Sequence, residues 1–378
     1  MRPNSTTAAP RYGELEMPTR LLLGPGPSMV DPRVLRAMAA PLVGHLDPEF
    51  LELMDRTQEY LRYAFGTQNP LTIPVSGTGS AAMEAGIANL VEPDDRVLVC
   101  QNGYFGGRMA EMVVRHGGDV QVIHRPWGEV FSPEEVEEAL RKWPAKVVAV
   151  VQAETSTGAL QPLRRICEAA HNHGAVILVD AVTSLGGLPV QVDELDVDVC
   201  YSGTQKCLGC PPGLGPITVG PRAEKILFSR KEKVRSWYLD LTMVREYWGK
   251  ERTYHHTAPI SMNYALYEAL RLVAEEGLEN RWRRHTQNAE FLWEGLESLG
   301  LDLHVARVHR LPTLTTVRVP AGVDEASVRR RLLEEDNIEI AGALGELKGR
   351  VWRIGLMGYS SQKENVIRLL AALERILR

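Results

Sequence analysis

Of the 378 residues, 44% are apolar and 24% charged, the usage of an ordinary folded protein, which excludes a disordered or fibrous chain. Lys and Arg number 43 against 48 Asp and Glu, and a formal charge of −5 is too mild to call for a nucleic acid or another polyanion. At roughly 100–200 residues per domain, the length predicts two domains.

The stretch Met1 to Met17 mixes Pro, Thr, Arg and Glu and reads as a polar arm without the apolar centre of a secretion signal. No later run approaches the ~20 apolar residues that cross a bilayer, so no membrane partner is expected. The five cysteines, at positions 100, 167, 200, 207 and 210, are an odd number, which fits reduced thiols in a cytoplasmic protein.

From Leu21–Leu23 and the turn Gly24-Pro25-Gly26-Pro27 onward, short apolar runs alternate with amphipathic stretches, the pattern of an α/β fold. Strands are predicted at Leu71–Val75, Arg96–Gln101, Asp119–His124, Lys146–Gln152, Ala175–Asp180, Val197–Ser202 and Pro216–Gly220. Several are almost wholly apolar, as strands covered on both faces are, and together they predict one seven-stranded, mostly parallel sheet. Pro74 has no N–H to give to a ladder, so its strand is expected to be short, irregular or at an edge. Helices are predicted at Ser80–Val91, which stops before Pro93, and at Ser132–Trp143, which opens on Ser132-Pro133 and stops at Pro144. Beyond about Tyr264 come helices Ala265–Glu276 and Glu279–Leu299, strand Thr313–Val319, helix Glu325–Glu335, strand Val351–Leu356 and a last helix near Glu364–Leu377. The expected division is an arm over 1–17, a large domain over 18–276 and a smaller C-terminal α/β domain over 277–378.

Three places carry chemistry. Asp180 ends a buried type of strand, where carboxylates of open α/β sheets meet ligands, although an Asp before Ala181-Val182-Thr183-Ser184 also suits a helix cap or turn. Lys206 follows the next strand in Ser202-Gly203-Thr204-Gln205-Lys206; a desolvated lysine is a nucleophilic amine, whereas a lone loop lysine is usually just solvated. Taken together, a Lys for a Schiff base and an Asp for a pyridine nitrogen are what a pyridoxal enzyme needs. The third place, Ser76-Gly77-Thr78-Gly79-Ser80 ahead of a helix, suits a phosphate. Gly77-x-Gly79-x-x-Ala82 also fits a dinucleotide fingerprint, but the following strand ends in Gln101-Asn102 and lacks the acidic residue that would hold a ribose. Cys207-Leu208-Gly209-Cys210 has metal or redox spacing without a second pair of ligands, and no metal is expected.

From Leu21 to the C-terminus the chain resembles the alanine–glyoxylate and serine–pyruvate aminotransferases, class V enzymes of pyridoxal fold type I. The matching stretches, in order, are Leu21 to Ser28, Asn69 to Thr72, Glu154 to Gly158, Val179 to Gly187, Tyr201 to Lys206, Tyr254 to Thr257 and Arg353 to Gly358. The resemblance implies a homodimer with shared active sites that binds pyridoxal 5'-phosphate and exchanges an amino group between a small amino acid, alanine or serine, and a 2-oxo acid, glyoxylate or pyruvate. It implies that Lys206 carries the cofactor as an internal aldimine and then moves the substrate proton, while Asp180 keeps the ring nitrogen protonated. Phe105 and Val182 would flank the ring, and Thr155 would sit near its O3′. Thr78, Gly79, Ser80 and Gln205 would hold the phosphate, together with Tyr254 and Thr257 from a second subunit. Arg353 would clamp the substrate carboxylate, as a planar guanidinium can with two bonds.

Two departures loosen any transfer of substrate preference: Phe105 stands where some relatives have Trp, and Ser80 where they have His. Other donors on the same scaffold, namely ureidoglycine, an aminophosphonate or pyridoxamine, stay open. Cysteine desulfuration does not fit, because it needs a thiol on a C-terminal loop and every cysteine precedes residue 211. A nicotinamide-dependent oxidoreductase would explain only the glycine pattern.

Overall fold

The computed structural model describes residues 13–378, so most of the expected N-terminal arm lies outside the described residues. Seven strands form the main sheet: β1 (Leu71–Ser76), β2 (Arg96–Gln101), β3 (Asp119–His124), β4 (Val147–Val151), β5 (Val176–Asp180), β6 (Val199–Tyr201) and β7 (Leu214–Val219). Their spatial order is β1-β7-β6-β5-β4-β2-β3, with β7 antiparallel to both its neighbours and every other pairing parallel. The predicted seven strands are all present, with ends displaced by one or two residues.

Proline explains the edge. Pro74 lies in β1, which pairs only with β7, and it faces Pro216, so the two residues that lack an N–H are set opposite each other. The strand nevertheless runs its full length from Leu71 to Ser76.

Alternation along each strand divides the core in two. Leu98, Val148 and Ile177 join Leu61, Phe65 and Ile166 on one face, while Val97, Val99, Ala149 and Leu178 join Met83, Ile87 and Met109 on the other. Helices therefore cover both faces, as a buried parallel sheet requires. The helix predicted over Ser132–Trp143 is observed as Pro133–Lys142, opened by a reciprocal cap in which Ser132 N–H donates to Glu135 Oε2 at 2.8 Å and Glu135 N–H donates to Ser132 Oγ at 3.3 Å. Helices at Pro48–Phe65 and Tyr104–Arg115 were not predicted. The first carries clear signals all the same: an Asp47 side-chain cap, Pro48 in the first turn, and Gly66 at φ +65° where the helix ends.

A second sheet forms from β8 (Leu314–Arg318), β9 (Ala341–Gly342) and β10 (Val351–Gly355), in the order β8-β10-β9. Its core gathers Leu292, Leu296, Val317, Leu332, Trp352, Ile354 and Leu369. Leu21 and Leu23 belong to this core as well, and Leu21–Leu22 pairs in parallel with Ile338–Glu339. That placement differs from the sequence reading, which put residues 18–23 with the first sheet. The reason is that two buried leucines complete an apolar layer that the C-terminal elements leave open.

The same N-terminal segment then runs against the end of β10. Gly355 N–H donates to Leu23 O at 2.8 Å, and a Cβ on Gly355 would collide with Gly24 O. Gly355→Ala is therefore expected to lower stability by about 1–3 kcal/mol through forced backbone displacement. An unchanged urea midpoint for the variant would refute this approach as a tight contact.

Candidate active site

The site lies at the C-terminal ends of β1, β5 and β6, the edge where open α/β sheets present ligands. Asp180 closes β5 and is paired in register with Tyr201, which closes β6. Register puts the two side chains within reach: Tyr201 Oη donates to Asp180 Oδ2 at 2.8 Å, and Val182 N–H donates to Oδ1 at 2.8 Å. Asp180 is 2% exposed. Burial pushes its carboxyl up to about 6, against the pull of the bonds from Val182 and Tyr201. The alternative reading of Asp180 as a simple cap accounts for the Val182 bond and not for the Tyr201 hydroxyl.

Lys206 follows in a loop that is pinned on both sides. Thr204 N–H donates to Leu214 O at 3.2 Å, and Ser28 bonds Gln205 O through its N–H at 2.9 Å and Lys206 O through its hydroxyl at 2.8 Å. Only 8% of Lys206 is exposed, so it is no solvated loop lysine. Its Nζ donates to the Pro25 carbonyl. Gly26, at φ +111°, makes that approach feasible, since a Cβ there would lie 2.8 Å from Nζ. Burial, followed by the positive charge of Arg353, pulls the ammonium down to about 8.

Opposite these two groups the helix Gly79–Leu90 begins with Thr78 as a cap whose side chain makes no capping bond. Its first residue packs against the lysine loop, and a Cβ on Gly79 would sit 3.4 Å from Gly203 Cα. Free N–H groups at this end carry partial positive charge. Thr78, Gly79, Ser80 and Gln205 share one cavity of about 200 Å³ with Phe105, Thr155, Val182, Asp180 and Lys206. Nine of the twelve expected site residues thus meet.

Arg353 lies beside them without lining that cavity. It is buried in β10, donates from Nε to Gly342 O at 2.9 Å and from Nη1 to Thr155 O at 3.3 Å, and its burial lowers the guanidinium to about 10. Tyr254 and Thr257 are elsewhere: Tyr254 is 57% exposed and its hydroxyl meets Thr257 Oγ1 at 3.4 Å.

Three residues escaped the sequence reading. Tyr201 was quoted in a motif without a role. Arg108 lines the cavity, donates from Nη1 to Ser80 Oγ at 2.9 Å and lies over the Phe105 ring at 4.8 Å. The signal was its spacing, three residues after Phe105 on one helix face. Glu154, fully buried, accepts from Phe105 N–H at 3.2 Å and from Ser156 Oγ at 2.6 Å, so it holds the start of the Phe105 helix; burial raises its carboxyl.

A carboxyl whose folded value lies above its ordinary 3.8 destabilises the fold wherever it is ionised there. For Asp180 that cost is complete above about pH 6 and fades as the pH falls towards 3.8. Asp180→Asn removes this ionisation cost, so the melting temperature of the ligand-free variant relative to wild type should move in the variant's favour as the pH rises from 5 to 8. Melting curves at pH 5 and pH 8 check this, and a difference that does not change with pH would contradict it.

Comparison with known proteins agrees with this geometry. The family model for aminotransferase class-V matches residues 21–366. The chain is 42% identical to the (S)-ureidoglycine–glyoxylate transaminase of Bacillus subtilis (strain 168), covering 96% of this chain and 92% of that one. It is 44% identical to the alanine–glyoxylate aminotransferase of Mus musculus, covering 96% and 89%. Among solved structures, the alanine–glyoxylate aminotransferase of Nostoc sp. superposes with a TM-score of 0.97 at 56% identity over the whole of both chains. These matches leave no place for a nicotinamide-dependent oxidoreductase: the chain belongs to the class V aminotransferases, a family of pyridoxal phosphate-dependent enzymes.

Proposed function

We propose that the chain binds pyridoxal 5'-phosphate in this cavity and moves an amino group from alanine or serine to glyoxylate or pyruvate. The observation that carries the reading is that Asp180 and Lys206, both buried, line one cavity with a helix N-terminus. The names of the relatives in mouse and Nostoc favour alanine and glyoxylate as the pair.

The cavity suits such a group. Gln205 Oε1 is buried without a partner, and side chains on Gly79 or Gly203 would crowd the space between the two loops. When bound, the cofactor supplies an aldehyde that takes up the amino group and a conjugated ring that draws electrons from the bond being broken.

Asp180 would hold a proton on the ring nitrogen. Its two oxygens already accept bonds from Val182 and Tyr201, which fixes the carboxylate plane, and a cationic neighbour would favour its ionised form. Lys206 would act as amine and as proton carrier, taking the proton from the substrate α-carbon and delivering it to the cofactor C4′. An amine pulled down to about 8 is partly neutral near pH 7.5, as a base needs to be. Arg353, oriented by the Gly342 and Thr155 carbonyls, would bind the substrate carboxylate with its remaining donors. Phe105 and Val182 would flank the ring and Thr155 lie near O3′, with Thr78, Gly79, Ser80 and Gln205 around the phosphate.

Tyr254 and Thr257 would complete the site of a second copy in a homodimer. Supporting this, Trp237, Tyr238 and Tyr254 are exposed at 58%, 44% and 57%. An apolar aromatic surface of that kind suits an interface. We also assign the division into arm, large domain 18–276 and small domain 277–378, with Leu21–Leu23 lent to the smaller one. A cytoplasmic setting is supported by five buried free cysteines. No helix among the described residues is long and apolar enough to cross a membrane.

The Bacillus relative supports a second reading in which ureidoglycine is the donor. Half-reactions separate the two: alanine or serine should bleach the bound cofactor's absorbance and glyoxylate or pyruvate should restore it, whereas bleaching by ureidoglycine alone would favour the second. If no donor changes the spectrum, both fail. Lys206→Ala should abolish turnover, and borohydride should no longer fix the cofactor to the chain. Arg353→Lys should lower kcat/KM for the amino acid by about 10- to 100-fold while cofactor affinity holds, because an ammonium lacks the two-pronged fork.

A further inference from the structure

We propose that Arg108 is the main cationic ligand for the phosphate of the molecule bound in this cavity, acting side by side with Ser80. The inference rests on reading the cavity as the pyridoxal phosphate site. A phosphate monoester carries close to two negative charges at neutral pH, whereas a helix N-terminus offers about half a positive one. Of the residues lining the cavity, Arg108 and Lys206 are the cations, and Lys206 is committed to amine chemistry.

The geometry around Arg108 is that of a fixed charge awaiting an anion. Nη1 donates to Ser80 Oγ at 2.9 Å, which ties the guanidinium to the first turn of the helix Gly79–Leu90. Its Cζ rests against two neighbouring rings, 4.8 Å from the Phe105 centroid and 5.3 Å from that of Tyr104. Among the described residues no carboxylate pairs with it, whereas Arg271, Arg281, Arg284 and Arg329 all have Glu partners. The guanidinium has several donors beyond the one given to Ser80. Ser80 thereby becomes a relay: with its own lone pair taken by Arg108, its hydroxyl proton is free to point at a phosphate oxygen.

Binding to the cofactor-free chain distinguishes charge from mere positioning of Phe105. Pyridoxal 5'-phosphate and pyridoxal, which lacks the phosphate, are titrated into wild type, Arg108→Gln and Arg108→Lys, with inorganic phosphate as competitor. Arg108→Gln should weaken pyridoxal 5'-phosphate roughly 10- to 100-fold and pyridoxal less than threefold, with Arg108→Lys between. Inorganic phosphate should compete with pyridoxal 5'-phosphate in wild type and far less in the Gln variant. Equal losses for both ligands, or none, would overturn the role of Arg108 while leaving the cofactor site standing. Failure of the wild-type chain to bind pyridoxal 5'-phosphate would remove the cavity reading itself.

Discussion

Desolvation of a carboxylate and an ammonium in the same small cavity is the constraint around which the rest is arranged. Burial drives each towards its neutral form, and burial and neighbours together leave Asp180 at about 6 and Lys206 at about 8. Between those values both keep their charge, but only because neighbours hold it. Tyr201 and the Val182 N–H do so for Asp180, and the Pro25 carbonyl does so for Lys206. An amine so near its neutral form and a carboxylate so near its protonated form are costly in a ligand-free fold. With the proposed cofactor's flat cationic ring and aldehyde between them, both states would become favourable.

The backbone supplies this arrangement by register. Asp180 and Tyr201 face each other because β5 and β6 pair in parallel with those residues in line, and a slip of one residue would turn both side chains into the apolar layers. Antiparallel β7 then starts at the same edge, where Leu214 lies opposite Ser76, so the loop between β6 and β7 stays there. That placement brings the lysine loop against the glycine turn before the helix Gly79–Leu90, where a Cβ at position 203 would come within 3.3 Å of Gly79 Cα.

Much of this was legible in the sequence, for a physical reason. Asp180 and Lys206 stand directly after apolar runs, and runs of β-branched residues covered on both faces fix strand ends well. Thr78 to Ser80 could be placed because a glycine-rich turn before a helix has few alternatives. Arg108 was not legible, since an arginine in an amphipathic helix is ordinarily a surface charge and its direction depends on how the helix packs. The start of that helix is set by Glu154, 49 residues away in sequence from Phe105, through a bond no local pattern announces. The helix Pro48–Phe65 was missed because its apolar stripe is diluted by charged residues, although its cap, its proline and its terminal glycine were all visible. Tyr254 and Thr257 do not line the cavity of the residues they were grouped with and meet each other instead, because a sequence motif records no distances.

The N-terminal segment joins what the two sheets hold apart. Leu21 and Leu23 are anchored in the C-terminal core, Leu23 O accepts the N–H of Gly355 at the end of β10, and Pro25 O receives Lys206 Nζ. Arg353 lies two residues before Gly355 on that same strand. The proposed carboxylate clamp and the reactive amine are therefore linked through about five residues of main chain, in which Gly24, Gly26 and Gly355 sit at close approaches. Side chains along this path would part it from its partners, because a Cβ at position 355 would meet Gly24 O and one at position 26 would meet Lys206 Nζ.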